Sequence, residues 1–380
     1  MIEMIKDPSV NSDVNSERYI INLGPQHPST HGVLRIIAEM DGEVCTRAEV
    51  VIGYLHRGIE KLLEARTYPQ GMPYTDRLDY LAGVNNNLPY ALAVEKLLGV
   101  EIPERASLLR MLTCEIMRLA SYMVGVGIYV MDLGAVSGVF YPFQQREYAL
   151  DCLSALCGAR MTQSYIRIGG VQADLNDEFD VCYNRLMDDF PRFMEMYHKL
   201  VDENEIFLQR TKGIGVITAE QAKTYALTGP NLRASGVSYD LRRDAPYCLY
   251  DRFNINVPVM TTGDCYDRYM QRMLELDEIY KLIGEIYAEL KKQQGGEIMA
   301  KIPKMLRPAA GEAYAQCENP KGIMGCMVAS DGKNQPYRVH FRRPSYDNIA
   351  IFEEIMPGHK IADLIAIISS FDIVLGEVDA

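Results

Sequence analysis

"PERASLLRMLTCEIMRLASYMVGVGIYVMD", residues 103–132, joins a helix start to a long apolar run. Pro103 suits the first turn of a helix, because the amide hydrogen that proline lacks has no partner at that position. Leucine and isoleucine then recur at helical spacing, at positions 108, 109, 112, 116 and 119. This spacing predicts a helix whose apolar stripe is buried in the core of the protein.

The end of this stretch also has the length of a membrane span. Residues 119–143 carry one charged side chain, Asp132, and a spanning helix needs about 20 apolar residues. Several glycines make the run irregular, and a carboxylate at the bilayer centre costs about 3 kcal/mol or more. We favour a buried core helix that ends near Asp132, with a membrane span as the alternative. An acid in such apolar surroundings needs a partner or holds its proton tightly, so Asp132 is a candidate functional residue.

Composition excludes several function classes. The chain has 380 residues, 48% of them apolar, which is enough for two or three domains. A net charge of −12 argues against nucleic acid as a partner and against a basic surface that binds anionic lipid. The nine cysteines include no Cys-x-x-Cys pair, so they offer no ready metal cage and favour a reducing compartment.

The order of patterns along the chain predicts an α+β fold, with a central helical bundle and small β elements near both termini. Strands are expected over residues 18–51, with a hairpin turn at Asp41-Gly42, and over residues 311–343, with a turn at residues 331–334. Helices are expected over 57–66, from about Thr75, over 88–98, from Pro103, over 143–157, 176–211 with an interruption at Pro191, 264–294, 346–356 and 359–371. The predicted parts are a flexible tail (1–17), an N-terminal β domain (18–56), a helical bundle (57–310) and a C-terminal α+β segment (311–380).

The segment GPQHPSTHG, residues 24–32, places His27 and His31 one helical turn apart. Pro28 and the flanking glycines prevent a helix there, so the segment is predicted to be a loop between two strands. The loop carries both imidazoles at its tip. From these residues alone, a functional loop and a polar hairpin tip with incidental histidines are equally supported.

Further polar candidates lie in IGYLHRG (52–58) and DRLDY (76–80). The chain contains no serine nucleophile elbow and no phosphate-binding glycine loop with its lysine. The pair Gly169-Gly170 lacks the spacing of a dinucleotide-binding loop. Scattered His, Tyr and Asp residues of this kind are usually structural.

Eight motifs that occur in one order along the chain favour a functional interpretation of these residues. They are GPQHPSTHG, IGYLHRGIEK, TYPQGMPYTDRLDY, MDLGA, GARM with YIRIGG, GDCYDRY, SDG with PYR, and HKIADLIAI with DIVLGEVD. Together they resemble the D subunit, of 49-kDa type, of the NADH–quinone oxidoreductase known as respiratory complex I. The resemblance runs from about residue 19 to the C-terminus. Each motif is weak by itself, whereas eight in register are specific.

The resemblance extends to the large subunit of nickel–iron hydrogenases. The two Cys-x-x-Cys pairs of those enzymes align with Asp79 and Ala82, and with Val374 and Glu377. All four thiolates are missing, and a nickel–iron site needs such soft ligands. The resemblance therefore implies a cavity in which this chain holds no metal and which takes the headgroup of a quinone, ubiquinone or menaquinone.

The resemblance also implies roles for individual residues. His31 and Tyr80 contact the quinone, and Asp132 is the acidic partner of His31. Each quinone oxygen gains negative charge during reduction, so it needs a hydrogen-bond donor, and an imidazolium or a phenol can donate. Asp132 would favour the charged form of His31. For His27 a structural role is favoured, in which the residue packs or forms hydrogen bonds within the loop.

The electrons are implied to come from an iron–sulfur cluster in the neighbouring B subunit. Arg57 of the LHRG motif would lie near that cluster, where its cation stabilises the reduced state; the alternative is a salt bridge at a helix start. His56 and Asp79 are further candidates around the pocket and the cluster. The implied partners are the B and C subunits and the H subunit in the membrane, which together form a hetero-oligomer. The implied location is peripheral, on the cytoplasmic side of the bacterial inner membrane, with coupling to proton translocation.

Two residues depart from the family pattern. Thr162 stands after GARM, where many relatives have a histidine that tunes the cluster, and Ile128 stands where relatives often have threonine. A pH-dependent cluster potential is therefore in doubt, and one wall of the pocket becomes apolar. The alternative functions are a hydrogenase-type large subunit, the same reductase supplied with electrons by ferredoxin or another donor, and a scaffold that only bridges subunits.

Overall fold

The computed structural model describes residues 4–5, 18–25, 32–293 and 295–380. His27 and His31 lie outside the described residues, as does nearly all of the predicted tail. Their predicted roles therefore stay predictions, and so does the division of the chain into four parts.

Strands form three antiparallel sheets among the described residues. The first sheet, in chain order, contains β1 (Met4–Ile5), β2 (Arg18–Leu23), β3 (Arg35–Asp41) and β4 (Val44–Val51). A two-stranded sheet contains β5 (Ile166–Arg167) and β6 (Gly170–Val171), and a three-stranded sheet contains β7 (Gly311–Asn319), β8 (Gly322–Ser330) and β9 (Arg338–Arg342).

The helices are α1 (Ile59–Glu64), α2 (Tyr68–Thr75), α3 (Gly83–Leu98), α4 (Glu104–Asp132), α5 (Phe140–Cys157), α6 (Asp177–Val201), α7 (Glu205–Thr211), α8 (Ala219–Thr224), α9 (Pro230–Ala234), α10 (Leu241–Asp244), α11 (Cys265–Lys292), α12 (Pro344–Ile349), α13 (Phe352–Ile355), α14 (Ile361–Phe371) and α15 (Leu375–Val378). Short 3-10 turns cover Val136–Val139 and Tyr250–Arg252. The predicted mixture of helix and sheet is confirmed.

The helix α4 is the centre of the fold. It contacts α5, α11 and α14, and nearly all of its side chains up to Val130 are buried. Among the described residues it is the one helix long and apolar enough to cross a membrane, but 89% of its apolar window is buried inside the protein. The prediction of a core helix that ends near Asp132 is confirmed.

The N-terminal sheet brings the two ends of the histidine loop together. Leu23 of β2 pairs with Ile36 of β3, so residues 24–34 connect neighbouring antiparallel strands as predicted. Gly24 packs so closely on the Leu34 carbonyl that a Cβ there would lie 1.9 Å from its oxygen. The predicted turn after Asp41 is also confirmed, since Asp41 pairs with Val44 across it.

The prediction of a helix from about Thr75 is wrong, because α2 ends there. Its start is fixed by Thr67, which forms a capping box with Gln70, and by a proline in the first turn. Turns then cover the residues before Gly83, where α3 begins. These turns hold the DRLDY motif.

The predicted interruption at Pro191 is also wrong, since α6 runs through it from Asp177 to Val201. Proline removes the donor that would bind the carbonyl four residues earlier, which is that of Met187. The Tyr280 hydroxyl of α11 donates to that carbonyl at 3.0 Å. The neighbouring helix α11 thus supplies the missing hydrogen bond. Helix α6 ends at Val201, and α7 begins after its N-cap residue, Asn204.

Candidate functional site

Two segments that are distant in sequence meet at the centre of the molecule. A Cβ on Gly376 would lie 3.0 Å from the Leu78 carbonyl oxygen and 3.5 Å from that of Arg77. This contact joins the DRLDY motif to the C-terminal DIVLGEVD motif. Glycine at 376 permits this close approach, because a side chain there would press on the Leu78 carbonyl.

The two segments carry buried carboxyl groups, of Asp79 and Glu377, and the charge of Asp79 acts on Glu377. Asp79 Oδ1 accepts from the Leu81 amide at 2.9 Å, and Glu377 Oε2 accepts from the Ser345 amide at 3.1 Å. Asp79 Oδ2 and Glu377 Oε1 are buried, and neither has a hydrogen-bond partner among the described residues. We call Asp79 and Glu377 the carboxylate pair.

Burial dominates the acidity of the carboxylate pair. It raises the pKa of Asp79 to about 6, with Lys321 opposing the shift and Asp372 adding to it. Burial also raises the pKa of Glu377 to about 8, and the negative charge of Asp79 raises it further. At neutral pH the pair therefore favours a state with one proton.

A buried salt bridge lies beside the pair. The Lys321 ammonium binds the Asp372 carboxylate, and Arg272 Nε lies 3.9 Å from Asp372 Oδ2. Asp372 has a left-handed backbone, with φ of +54°. Its carboxylate packs on Gly125 of α4, where a Cβ would lie 2.5 Å from Oδ2. We call Asp79, Glu377, Lys321, Asp372 and Arg272 the buried ion cluster.

Tyr80 lies at the boundary between this cluster and the surface. Its side chain is 40% exposed, although it directly follows the buried Asp79. Partial burial raises the pKa of Tyr80, and the charges of Asp79 and Asp372 raise it further. The phenol therefore keeps its proton at neutral pH and can donate a hydrogen bond to a ligand.

The LHRG loop is tied to the same C-terminal segment. The Gly53 and Leu55 amides donate to the Asp379 carboxylate at 2.8 and 2.7 Å. His56 Nδ1 lies 3.0 Å from the Asp379 carbonyl oxygen. This contact holds the side chain of His56, which is exposed, at the edge of the site.

The contacts of Arg57 differ from the salt bridge at a helix start, which was the alternative to a position near the iron–sulfur cluster. Its guanidinium donates to the Arg77 carbonyl at 2.5 Å and to the Gly376 carbonyl at 3.5 Å. Within residues 18–25, 32–293 and 295–380, its hydrogen bonds go to backbone carbonyls and no carboxylate forms an ion pair with it. The cation is therefore anchored by backbone carbonyls and remains exposed.

Asp132 lies near the buried ion cluster but is separate from it. The Ser369 hydroxyl donates to Asp132 Oδ2 at 2.6 Å, and Ser369 precedes Asp372 by one short turn. Asp132 follows Gly125 by seven residues, so it lies about 10 Å further along α4 than the contact with Asp372. Ile128, half-buried, lies one helical turn before Asp132.

Thr162 occupies a strained loop on the other side of the DRLDY motif. Its backbone is left-handed, with φ of +51°, which is uncommon for a β-branched residue. The next residue, Gln163, reaches the start of α3, with its Oε1 3.1 Å from the Cβ position of Gly83. Burial raises the pKa of Asp76 to about 6 in the same region, against hydrogen bonds from Asn87 and Ser164.

The structure thus brings Asp79, Tyr80, Arg57 and His56 together around the C-terminal segment, with Asp132, Ile128 and Thr162 nearby. Sequence reasoning missed Lys321, Asp372 and Arg272. Lys321 lies in the tight β7–β8 turn, where a lysine is ordinarily exposed to solvent. Nothing in the sequence around it indicates that it is buried. Asp372 was within a quoted motif and could have been found from it.

Among the described residues, no group of three or more His, Cys, Asp or Glu side chains could hold a metal ion. The fold and the site together define the class of this chain: an α+β protein that buries an acid–base cluster beneath an exposed tyrosine.

Comparison with known proteins gives the family. Residues 132–309 and 299–380 match the family model of the 49 kDa subunit of the respiratory-chain NADH dehydrogenase. The D subunit of the NADH-quinone oxidoreductase of Desulforamulus reducens is 51% identical over 367 residues, which cover 97% of this chain and all of that protein. The D subunits of Bacillus mycoides and Clostridium beijerinckii are 48% and 47% identical over 96% and 97% of this chain, and over 100% and 98% of their own length. The chain belongs to this family, and the prediction of an oxidoreductase subunit of complex I is confirmed.

Proposed function

We propose that this chain forms the quinone site of a membrane-bound NADH–quinone oxidoreductase, and that Tyr80 donates to the quinone headgroup. The observation that carries the proposal is the position of Tyr80. Tyr80 is 40% exposed and directly follows the buried Asp79, and burial together with the charges of Asp79 and Asp372 raises the pKa of its phenol. The relatives' names supply the quinone.

The chemistry requires two donors. Reduction of a quinone takes two electrons and two protons, and negative charge develops on each ring oxygen. Tyr80 donates to one oxygen and His31 to the other, with Asp132 as the acidic partner of His31. The position of Gly32 supports this assignment: a Cβ there would lie 3.1 Å from Leu375 Cδ1, on the segment that contacts the DRLDY motif.

The same segments support descent from a hydrogenase-like metal cage. Asp79 and Ala82, with Val374 and Glu377, stand at the positions of the four hydrogenase thiolates. The close contact of Gly376 with Leu78 brings these two stretches together. Carboxylates do not replace thiolates for nickel, so we propose that the cage has become a proton-holding site. Nickel in stoichiometric amount in the purified complex would contradict this and favour the hydrogenase alternative.

Electrons enter from a partner in this proposal. The exposed cation of Arg57 faces the iron–sulfur cluster of the B subunit, and the C and H subunits complete the site. The side chains of Ile52, Tyr54 and Met161 are exposed on nearby loops, which supports a covering partner. The chain then lies peripherally on the cytoplasmic side of the inner membrane, and quinone reduction is coupled to proton translocation. A nucleotide- and flavin-binding module encoded nearby would identify NADH as the electron donor.

The test is Tyr80→Phe in the assembled complex. Removal of one well-placed donor lowers the rate of quinone reduction by about tenfold or more. Reduction of a water-soluble acceptor by the upstream cofactors stays unchanged. Tyr337→Phe, at a tyrosine 71% exposed on the connection before β9, is the matched control. If Tyr80→Phe assembles normally and reduces quinone at the wild-type rate, the chain acts as a scaffold at this site.

A further inference from the structure

The charges of the buried ion cluster do not balance. It contains three carboxyl groups, of Asp79, Asp372 and Glu377, and two cations, of Lys321 and Arg272, all nearly or fully buried. The Lys321 ammonium and the Arg272 guanidinium both lie against Asp372. If all five groups were ionised, the cluster as defined would carry one net negative charge. Such a charge is costly, and a bound proton removes it.

The geometry shows where that proton is held. Lys321 and Arg272 pair with Asp372, so the excess charge belongs to the carboxylate pair. Each member of the pair has one oxygen satisfied by a backbone amide and one buried oxygen without a hydrogen-bond partner among the described residues. The backbone contact at Gly376 joins the two segments that carry the pair, and the charge of Asp79 acts on Glu377, so a proton on either carboxyl group lowers the charge that both bury.

Two further cations lie near the cluster: Arg268, which donates to the Ser370 hydroxyl and to the Gly215 and Gly263 carbonyls, and Arg343, which donates to the Val378 and Ala380 carbonyls. The cation that acts on both Asp79 and Glu377 is Lys321. Tyr80 follows Asp79 in the same turn and is neutral, because its pKa is raised. Arg57 contacts the backbone of Gly376 from the LHRG loop, but its guanidinium is exposed to solvent. Its charge is screened by water far more than that of Lys321.

We infer that Asp79 and Glu377 share one exchangeable proton at neutral pH, and that this proton restores the phenol of Tyr80 after it has protonated the quinone. In this step an O–H bond of the carboxyl pair breaks and an O–H bond forms on the Tyr80 phenolate. No group is oxidised or reduced in the transfer, and solvent later returns a proton to the pair. The raised pKa values of both carboxyl groups, about 6 for Asp79 and about 8 for Glu377, are consistent with one bound proton near pH 7.

The existence of the proton is tested by infrared difference spectroscopy of the assembled complex between pH 6 and pH 9. A protonated buried carboxyl gives a carbonyl-stretch band that is lost on ionisation. We expect this band in the wild type and in Glu312→Gln, whose exposed carboxyl group lies on β7. We expect its loss in Glu377→Gln, where the amide offers a donor to Asp79 in place of the proton. Asp79→Asn, which replaces the other member, is the second variant. If the wild-type band is absent, or persists in both variants, the shared proton is refuted.

The use of the proton rests on the proposed function and has a separate readout. In Glu377→Gln we expect the rate of quinone reduction to fall at least tenfold near pH 8, and less at pH 6, where solvent supplies protons more readily. Quinone affinity is expected to be unchanged. A wild-type rate at both pH values would refute the role in restoring Tyr80, even if the infrared band is present. The spectroscopic result does not depend on quinone turnover, so failure of this inference and failure of the Tyr80 assignment are distinguishable.

Discussion

Replacement of Glu377 by glutamine should stabilise the region around it at neutral and alkaline pH. Glutamine has nearly the shape of the protonated glutamic acid and can still accept from the Ser345 amide. It has no proton to lose. The variant therefore removes the cost of keeping this carboxyl neutral in the folded protein while leaving the packing in place.

The magnitude follows from proton linkage. The pKa of Glu377 is raised by burial from 4.5 to about 8. The folded state thus binds a proton that the unfolded state releases between these values, so stability falls as pH rises from about 4.5 to about 8 and is fully present only below 4.5. At 1.36 kcal/mol per pH unit, the loss is about 3 kcal/mol at pH 7 and about 4 kcal/mol at pH 8, as orders of magnitude. The glutamine variant has no such slope from this position.

The assay is hydrogen exchange with mass spectrometry on the assembled complex at pH 5, 7 and 8, corrected for the intrinsic rate. Peptides that cover residues 76–82 and 372–379 report the opening that exposes the carboxylate pair. We expect Glu377→Gln to exchange about a hundredfold more slowly than the wild type at pH 7, and only about fourfold more slowly at pH 5. Glu312→Gln should match the wild type throughout.

Faster exchange in Glu377→Gln than in the wild type at pH 8 would refute the reasoning. It would mean that the ionised carboxylate is stabilised in the fold by contacts that an amide cannot make. A difference in exchange that does not change with pH would also refute the reasoning, because the expected difference arises from ionisation of Glu377.

Two further predictions follow from contacts around the site. Gly125→Ala should lower the stability of the complex by about 1–3 kcal/mol, because the added Cβ would lie 2.5 Å from Asp372 Oδ2. Thermal unfolding measures this loss of stability, and an unchanged unfolding midpoint would contradict the prediction. Arg57→Ala should make the reduction potential of the adjacent iron–sulfur cluster more negative, because a cation held by the Arg77 and Gly376 carbonyls is removed; a redox titration followed by electron paramagnetic resonance measures it, and an unchanged or more positive potential contradicts it.

Sequence predicted the parts of the fold that depend on local periodicity. The stripe from Leu108 to Leu119 was sufficient to predict α4. The turn after Asp41 was predictable because Gly42 accepts the positive φ, here +59°, that a tight hairpin turn requires. The errors came from contacts outside the pattern. Pro191 is accommodated because Tyr280, 89 residues later in the chain, donates to the exposed carbonyl of Met187.

The candidate site was predictable only as far as the motifs reached. The resemblance singled out Asp79, Tyr80 and Glu377, and the structure brings these residues together. It gave no reason to select Lys321, whose salt bridge to Asp372 spans 51 residues of chain. The sequence also could not give the charge balance of the cluster, because burial is set by tertiary packing of the whole core. The roles of His27 and His31 remain predictions.

The most direct test of the proposed function is an experimental structure of the assembled complex with a bound quinone. The account predicts one ring oxygen within hydrogen-bond distance, about 2.7 Å, of the Tyr80 hydroxyl. It predicts His31 at the opposite oxygen, with Asp132 behind it. A quinone ring bound away from Tyr80, or Tyr80 and His31 in separate closed regions with no common opening, would contradict the account.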